Sequence, residues 1–306
     1  MLRKALLSTC LAFGCCATCF GQVTLEHKLN EGNSHTAETT VKTDQKLTIN
    51  GTDIDTSANT QTTAKSTVGK RDVEGKLRVD EKVETLKLSM TVMGMTYDFD
   101  SANPDNKSES QLEILRPVHK ALVGRTTTTV YDKFNRVSDV ESDPSIVNAL
   151  PAEVQNLVKG QLDSATLKSA ANDELDQVKS DPIKQGDTWQ RASSANFGGG
   201  QVMSFKTEFT YAGPIEKDGR TLDKITSKTL EVTFALENSP LPLSIKTSDL
   251  KPAESEGVIL FDRKLGQIVE IHSTVRITGD ITFTINDMNL PSKLDLKMER
   301  TTVVKP

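Results

Sequence analysis

The sequence predicts an α+β protein, mainly antiparallel β-sheet, with a central helical cluster. Three observations predict it. Threonine makes up 36 of 306 residues, and its branched Cβ favours strands over helix interiors. Apolar and polar residues alternate through most of the chain, the period of a sheet with one covered face. From Pro144 to about Val178 that period gives way to helical spacing. The strands are expected either as two antiparallel sheets or as one strongly curved half-barrel sheet, with the helices between them.

The chain opens on a short basic stretch, Met1-Leu2-Arg3-Lys4. Residues 5–17 are apolar or small apart from Ser8 and Thr9, and Cys19-Phe20-Gly21 follows. This is the layout of a secretory signal peptide over 1–21, cleaved after Gly21. Its apolar run is shorter than the ~20 residues a membrane-spanning helix needs, and no later stretch approaches that length. All four cysteines (Cys10, Cys15, Cys16, Cys19) fall inside it, so the chain beyond has no disulfide and relies on an ordinary core. Leu11-Ala12-Phe13-Gly14-Cys15 is a poor match to a lipoprotein signal, so a lipid on Cys15, Cys16 or Cys19 ranks below plain cleavage. The expected address is the periplasm or the extracellular space.

Three further regions are expected: an N-terminal antiparallel sheet region over 22–142, a helical segment over 143–181 and a C-terminal antiparallel sheet region over 182–306. In the first, Val23, Leu25, His27 and Leu29 share one face of a strand. Residues 37–49 and 52–68 are threonine-rich and sparsely apolar, and read as weak or edge strands joined by an Asn50-Gly51 hairpin turn. Apolar residues change parity between Val83 and Leu86, which places a bulge near Glu84-Thr85. Met93-Gly94 breaks the run before Met95, Tyr97 and Phe99. Pro117 is tolerable in the first turn of a short helix carrying Val118 and Leu122, and Thr126 to Val130 returns to strand.

In the helical segment, Pro151 opens a second helix and Asp163 or Ser164 caps a third. Beyond Trp189, Met203, Phe205, Phe209 and Tyr211 alternate, as do Leu230, Val232 and Phe234. Residues 239–252, with Pro240, Pro242 and Pro252, read as loop or edge. Val269 to Ile285 forms a final hairpin with Leu294 to Met298 through a turn at 287–292. Residues 130–137 resemble 260–268 in their aromatic-Asp pair and turn residue, which suggests either two ordinary hairpins or a duplicated sheet module.

The sequence offers little chemistry. Thirty-seven Lys and Arg against 42 Asp and Glu give a net charge of −5, with both signs mixed, which excludes a basic nucleic-acid reader. The four histidines (His27, His35, His119, His272) are scattered and form no zinc spacing. No G-x-S-x-G elbow occurs. Ser248-Asp249-Leu250-Lys251 matches S-x-x-K in letters, but Pro252 disfavours the helix that chemistry needs. Gly198-Gly199-Gly200 precedes a strand rather than the helix of a phosphate loop. The loop from Asp98 to Glu109 has oxygens at some calcium-loop positions, but Ala102 and Asn103 break the pattern, so a polar loop capped through Ser110 and Glu113 is favoured. No catalytic, cofactor-binding or metal-binding residue is assigned.

At Gly186-Asp187-Thr188-Trp189, Gly124-Arg125-Thr126 and Phe261-Asp262-Arg263-Lys264-Leu265-Gly266-Gln267 the chain resembles an uncharacterised family of secreted, planctomycete-type bacterial proteins of unknown function. That resemblance implies export and supplies no catalytic residues. More distantly, the long amphipathic strands and intervening helices look like periplasmic lipoprotein carriers, whose curved sheet wraps helices around an apolar cavity. The expectation is therefore a non-enzymatic extracytoplasmic binding protein, for an apolar small molecule or lipid-like ligand. The alternative is a cell-envelope interaction module working through exposed strand edges in 36–68. A hydrolase without a recognisable motif comes third. No cofactor and no nucleic-acid partner are expected, and the sequence leaves the oligomeric state open.

Overall fold

A computed structural model of the chain describes residues 21–141, 145–148, 150, 152–237, 239 and 243–305. Residues 1–20, which hold most of the expected signal peptide and all four cysteines, and Pro144, Pro151, Pro240 and Pro242 lie outside the described residues. The elements run β1 (Ser34–Ile49), β2 (Thr52–Val68), β3 (Leu77–Val92) and β4 (Met95–Asp100). A 3-10 turn (Gln111–Leu115) then leads into α1 (Arg116–Leu122). After β5 (Thr126–Tyr131) and β6 (Val137–Glu141) come α2 (Ser145–Asn148), α3 (Ala152–Leu162) and α4 (Ser164–Leu175). Six long strands finish the chain: β7 (Thr188–Gly198), β8 (Gln201–Lys217), β9 (Arg220–Leu236), β10 (Ser244–Asp262), β11 (Gln267–Ile285) and β12 (Met288–Lys305).

All twelve strands form one antiparallel sheet in the order β6-β5-β3-β2-β1-β12-β11-β10-β9-β8-β7, with β4 pairing the second half of β3. The two sheet regions are thus one sheet, joined where β1 pairs β12 from Thr36↔Lys305 to Ile49↔Ser292. The sheet is curled. Leu47 on β1 and Met203 on β8, five strands apart in the order, line the same small hollow. Two apolar layers form inside the curl: one around Phe209, Tyr211, Ile225, Ile259 and Ile271, the other around Met203, Val232, Ile277, Ile281, Leu294 and Leu296.

Several turns follow the chemistry of their residues. Asn50 and Gly51 have φ of 49° and 84°, the left-handed pair a tight hairpin demands. The expected bulge sits at Glu84: Thr63 pairs Thr85, Ala64 pairs Val83, and Glu84 has no partner between them. Asp163 caps α4, its Oδ1 accepting from the Ala165 N–H at 2.8 Å and the Thr166 N–H at 3.2 Å.

Other expectations are corrected. The helices do not form a central cluster: α4 has no buried residue, and the apolar core is made by strand faces meeting across the curl. Residues 37–68 are not edges but the middle of the sheet, because both backbone edges of each strand are paired, β1 with β2 and β12, and β2 with β1 and β3. Val23 to Leu29 alternates in burial but builds no ladder beyond the single bridge Val23↔Ile183. Of the two readings of 239–252, loop or edge, Ser244 to Pro252 takes the second. It is strand paired with β11 alone, since β9 joins only from Gly257, and Pro252 sits at a register shift where its missing N–H is harmless. The last turn is Asn286-Asp287, so β12 starts earlier than the 287–292 turn implied.

Candidate functional site

The registers stack rows of inward side chains across the sheet. One row runs Tyr211, Ile225, Ile259, Ile271 and is bulky and apolar. The next runs Phe209, Ser227, Gly257, Ser273, Arg300 and is small at its centre. A Cβ added at Gly257 would lie 2.1 Å from Ser227 Oγ, so the glycine makes room for that hydroxyl. Small residues between bulky layers leave a hollow, here a cleft of about 320 Å³.

The floor of the cleft includes Phe209, Ile259, Ile271 and Val275, and the side chains of Ser193, Thr207, Ser227, Thr229, Ser255 and Ser273 are on the inward rows of its walls. The hydroxyls of Ser193, Thr207, Ser227 and Ser273 have no hydrogen-bond partner among the described residues, which leaves them to water or a ligand. Phe209 is backed by Trp189, the rings stacked at 5.8 Å. Trp189 is buried, and its Nε1 has no hydrogen-bond partner among the described residues.

Helix α4 roofs the cleft with Ala170, Asp173 and Glu174, and Gln177 follows in the turn beyond it. It is fastened to both ends of the sheet by polar side chains. On β6, Asn172 imitates a neighbouring strand: its Nδ2 donates to the Val137 carbonyl at 3.0 Å and its Oδ1 accepts from the Val137 N–H at 3.2 Å. Beside it, Arg136 grips the Asp176 carboxylate with two nitrogens, at 2.7 and 3.2 Å. On β7, the Ser194 N–H donates to Asp173 at 3.4 Å, and Gln161 of α3 donates to the Asn196 carbonyl at 3.1 Å. From the sheet, Arg300 reaches Glu174 at 3.3 Å.

Glu174 is the electrostatic hub. Solvent reaches Glu81, yet enough protein surrounds it that desolvation, and then the charge of Glu174, push its carboxyl above the usual range. Burial, followed by the same two carboxylates, pushes Tyr131 up to about 12. Asp173 is also raised, chiefly by burial. His27 is lowered by burial, which outweighs its bond to the Leu175 carbonyl.

A second hollow, among Leu47, Phe197, Met203, Phe234, Ile281 and Phe283, is apolar but about 70 Å³. At a share of ~30 Å³ per water that is room for about two.

The other sequence features fall elsewhere. His27 packs edge-on against Phe261, while His272 bonds Glu270 and Thr301, so the two share no contact. Ser248 and Lys251 lie on the extended strand β10, not on a helix. Gly198-Gly199-Gly200 is the β7–β8 hairpin, with all three φ positive. In the Asp98 loop, Asp100 accepts from the Ala102 N–H at 2.9 Å and pairs Lys87 at 3.0 Å, and the Asp98 carbonyl accepts from Arg116. Among the described residues no group of three or more His, Cys, Asp or Glu is placed to hold a metal.

Sequence reasoning missed Glu174, Arg300 and the row Ser227-Gly257-Ser273. A signal was present: in Ile225-x-Ser227, Gly257-x-Ile259 and Ile271-x-Ser273-x-Val275, a small residue interrupts an apolar face.

No curated protein matches the chain. Among solved structures, it is similar to lipovitellin, studied for lipid-protein interactions, at 10% identity and a TM-score of 0.43 over 91% of this chain. It spans about a quarter (26%) of that one. A putative exported protein from Bacteroides fragilis is 9% identical with a TM-score of 0.22, over 90% of this chain and 98% of that one. A putative outer membrane lipoprotein-sorting protein domain from Vibrio parahaemolyticus is 10% identical with a TM-score of 0.15, over 85% and 83%. These TM-scores are too low to indicate a shared fold. A family model does match residues 74–234, over half of the chain: the protein belongs to a family of unknown function, DUF6263.

Proposed function

We propose that this is a non-enzymatic, extracytoplasmic binding protein that holds a small lipid-like or amphiphilic molecule in the cleft beneath α4. One observation carries the reading: a cleft of about 320 Å³ with an apolar floor and partnerless hydroxyls on its walls. That volume is at the small end of ligand sites, and the combination of apolar surface with a few polar groups is typical of them. The export part rests on the N-terminal pattern of basic start, apolar run and small residues. The non-enzymatic part rests on the absence of a motif for a nucleophile and its base in the sequence.

Native mass spectrometry of the exported protein tests the reading. A bound mass that disappears when Gly257→Leu fills the floor is the expected result. A bare protein, together with no change in Trp189 fluorescence on adding amphiphiles, would overturn it. The same spectrum reads the mature N-terminus.

A further inference from the structure

Resting on that reading of the cleft, we infer that the part of the ligand held there is an uncharged polyhydroxylated group, a saccharide either free or as the head of a glycolipid. Three features of the site point to this chemistry.

The first is the supply of hydrogen bonds. The Ser193, Thr207, Ser227 and Ser273 hydroxyls are unengaged by protein, and each both donates and accepts. They face Glu174 and Asp173, which only accept, and Arg300, which only donates. A ring carrying several hydroxyls is the partner that uses such a mixture, since each of its groups also donates and accepts.

The second is charge. The inward-facing lining contains two carboxylates (Asp173, Glu174) and two guanidiniums (Arg191, Arg300); Glu256, next to the inward Gly257, has its side chain on the other face of the sheet. Arg300 is already engaged by Glu174 and by Thr302 Oγ1 at 3.1 Å. With Arg300 and Glu174 paired, Asp173 and Arg191 remain, so the cleft offers an anionic head no net positive charge. A neutral head needs none and still gains charge-assisted hydrogen bonds.

The third is the floor. Phe209, backed by Trp189, and the neighbouring Ile259 and Ile271 offer a patch suited to the C–H face of a sugar ring or the first methylenes of an alkyl tail. A long tail would have to leave the cleft, since the apolar hollow at the other end of the curl is about 70 Å³.

Titrations of the whole mature protein, followed by Trp189 fluorescence and calorimetry, test the inference. The probes are methyl and octyl glycosides of glucose, galactose, mannose and N-acetylglucosamine, with decanoate and decyl sulfate as charged-head controls. Saturable binding of at least one glycoside is expected, at least tenfold tighter than either control. Ser227→Ala with Ser273→Ala should weaken it tenfold or more without moving the melting temperature, because neither hydroxyl bonds to protein. Thr207→Val alone should weaken it in the same direction. Equal binding of methyl and octyl forms assigns a free saccharide, and binding of the octyl form alone assigns a glycolipid head; both support the inference. Decanoate or decyl sulfate binding as tightly as any glycoside, or tighter, overturns it and leaves the binding reading standing. A bare native mass with no probe bound removes both.

Discussion

Arg116 is buried beneath the α1 turn, and all three of its guanidinium nitrogens are engaged. Its Nε and Nη2 hold the Glu113 carboxylate at 2.5 and 2.8 Å, Nη2 also donates to the Asp98 carbonyl at 2.9 Å, and Nη1 to that of Pro104 at 3.2 Å. The Tyr97 and Phe99 rings lie beneath it at 5.3 and 5.7 Å. The pairing with Arg116 holds the Glu113 carboxyl down at about 2. Arg116→Ala should cost about 3 kcal/mol in urea unfolding, because it strands buried acceptors. Arg116→Lys should recover only part, lacking the planar fork. Beside it, His119 shares a 2.8 Å hydrogen bond with the Tyr97 hydroxyl and is lowered from 6.5 to about 4, first by burial and then by the Arg116 charge. Below pH 6.5 the unfolded chain takes up a proton that the native imidazole refuses, so stability falls as pH drops towards 4. At 1.36 kcal/mol per unit the loss is up to about 3 kcal/mol. His119→Gln should flatten the fall in urea midpoint between pH 6.5 and 4; an unchanged slope would place the acid sensitivity in His27 or His35, which burial also lowers. None of this cluster was legible beyond Ser110 and Glu113, because Tyr97 and Arg116 meet only once β4 and α1 have packed.

Among elements, α4 is held differently from most surface helices, which dock an apolar stripe. Its helical period was legible in Leu167, Ala171 and Leu175, and its cap in Asp163. Its place was not, because polar residues fasten it and no apolar face is buried. Asn172→Ala should therefore cost about 1 kcal/mol, the worth of a hydrogen bond or two. The more telling measurement is hydrogen exchange: the Val137 N–H should exchange faster while the β11–β12 amides stay protected. Equal protection at Val137 would mean that another group seals the β6 edge. Strand parity told the same partial story. The Glu84 bulge was readable because a shift of one residue moves every apolar side chain to the other face. The central position of β1 and β2 was not, since threonine on both faces fits an edge and a middle strand alike.

For the whole molecule, alternation reveals which face a residue occupies but not which strand lies alongside. The cleft shows this well: Ser227, Gly257, Ser273 and Arg300 become neighbours only through the registers of four strands. The turns tell a related story. The likeness between 130–137 and 260–268 survives as Asp-anchored turns, Asp132 accepting from the Phe134 and Arg136 N–H groups and Asp262 from those of Lys264 and Leu265. Asp72 is the closer twin of Asp132, since it accepts from the Glu74 and Lys76 N–H groups. One deletion tests the unity of the sheet. Ending the chain after Asp287 removes β12 and leaves β1 and β11 each with one neighbour instead of two. That variant should lose its cooperative thermal transition entirely; a sigmoidal melt retained by residues 22–287 would show that the halves fold separately.

The β1–β12 pairing also sets a clock. The first strand waits for the last, so the ladder at the centre of the sheet cannot form until Met288–Lys305 has been synthesised. Closing so long a loop of chain is slow, and non-local strand pairing delays folding in general. During synthesis the hairpins on either side, β1–β2 and β10–β11 among them, therefore stand apart until the ladder that joins the two halves of the sheet closes.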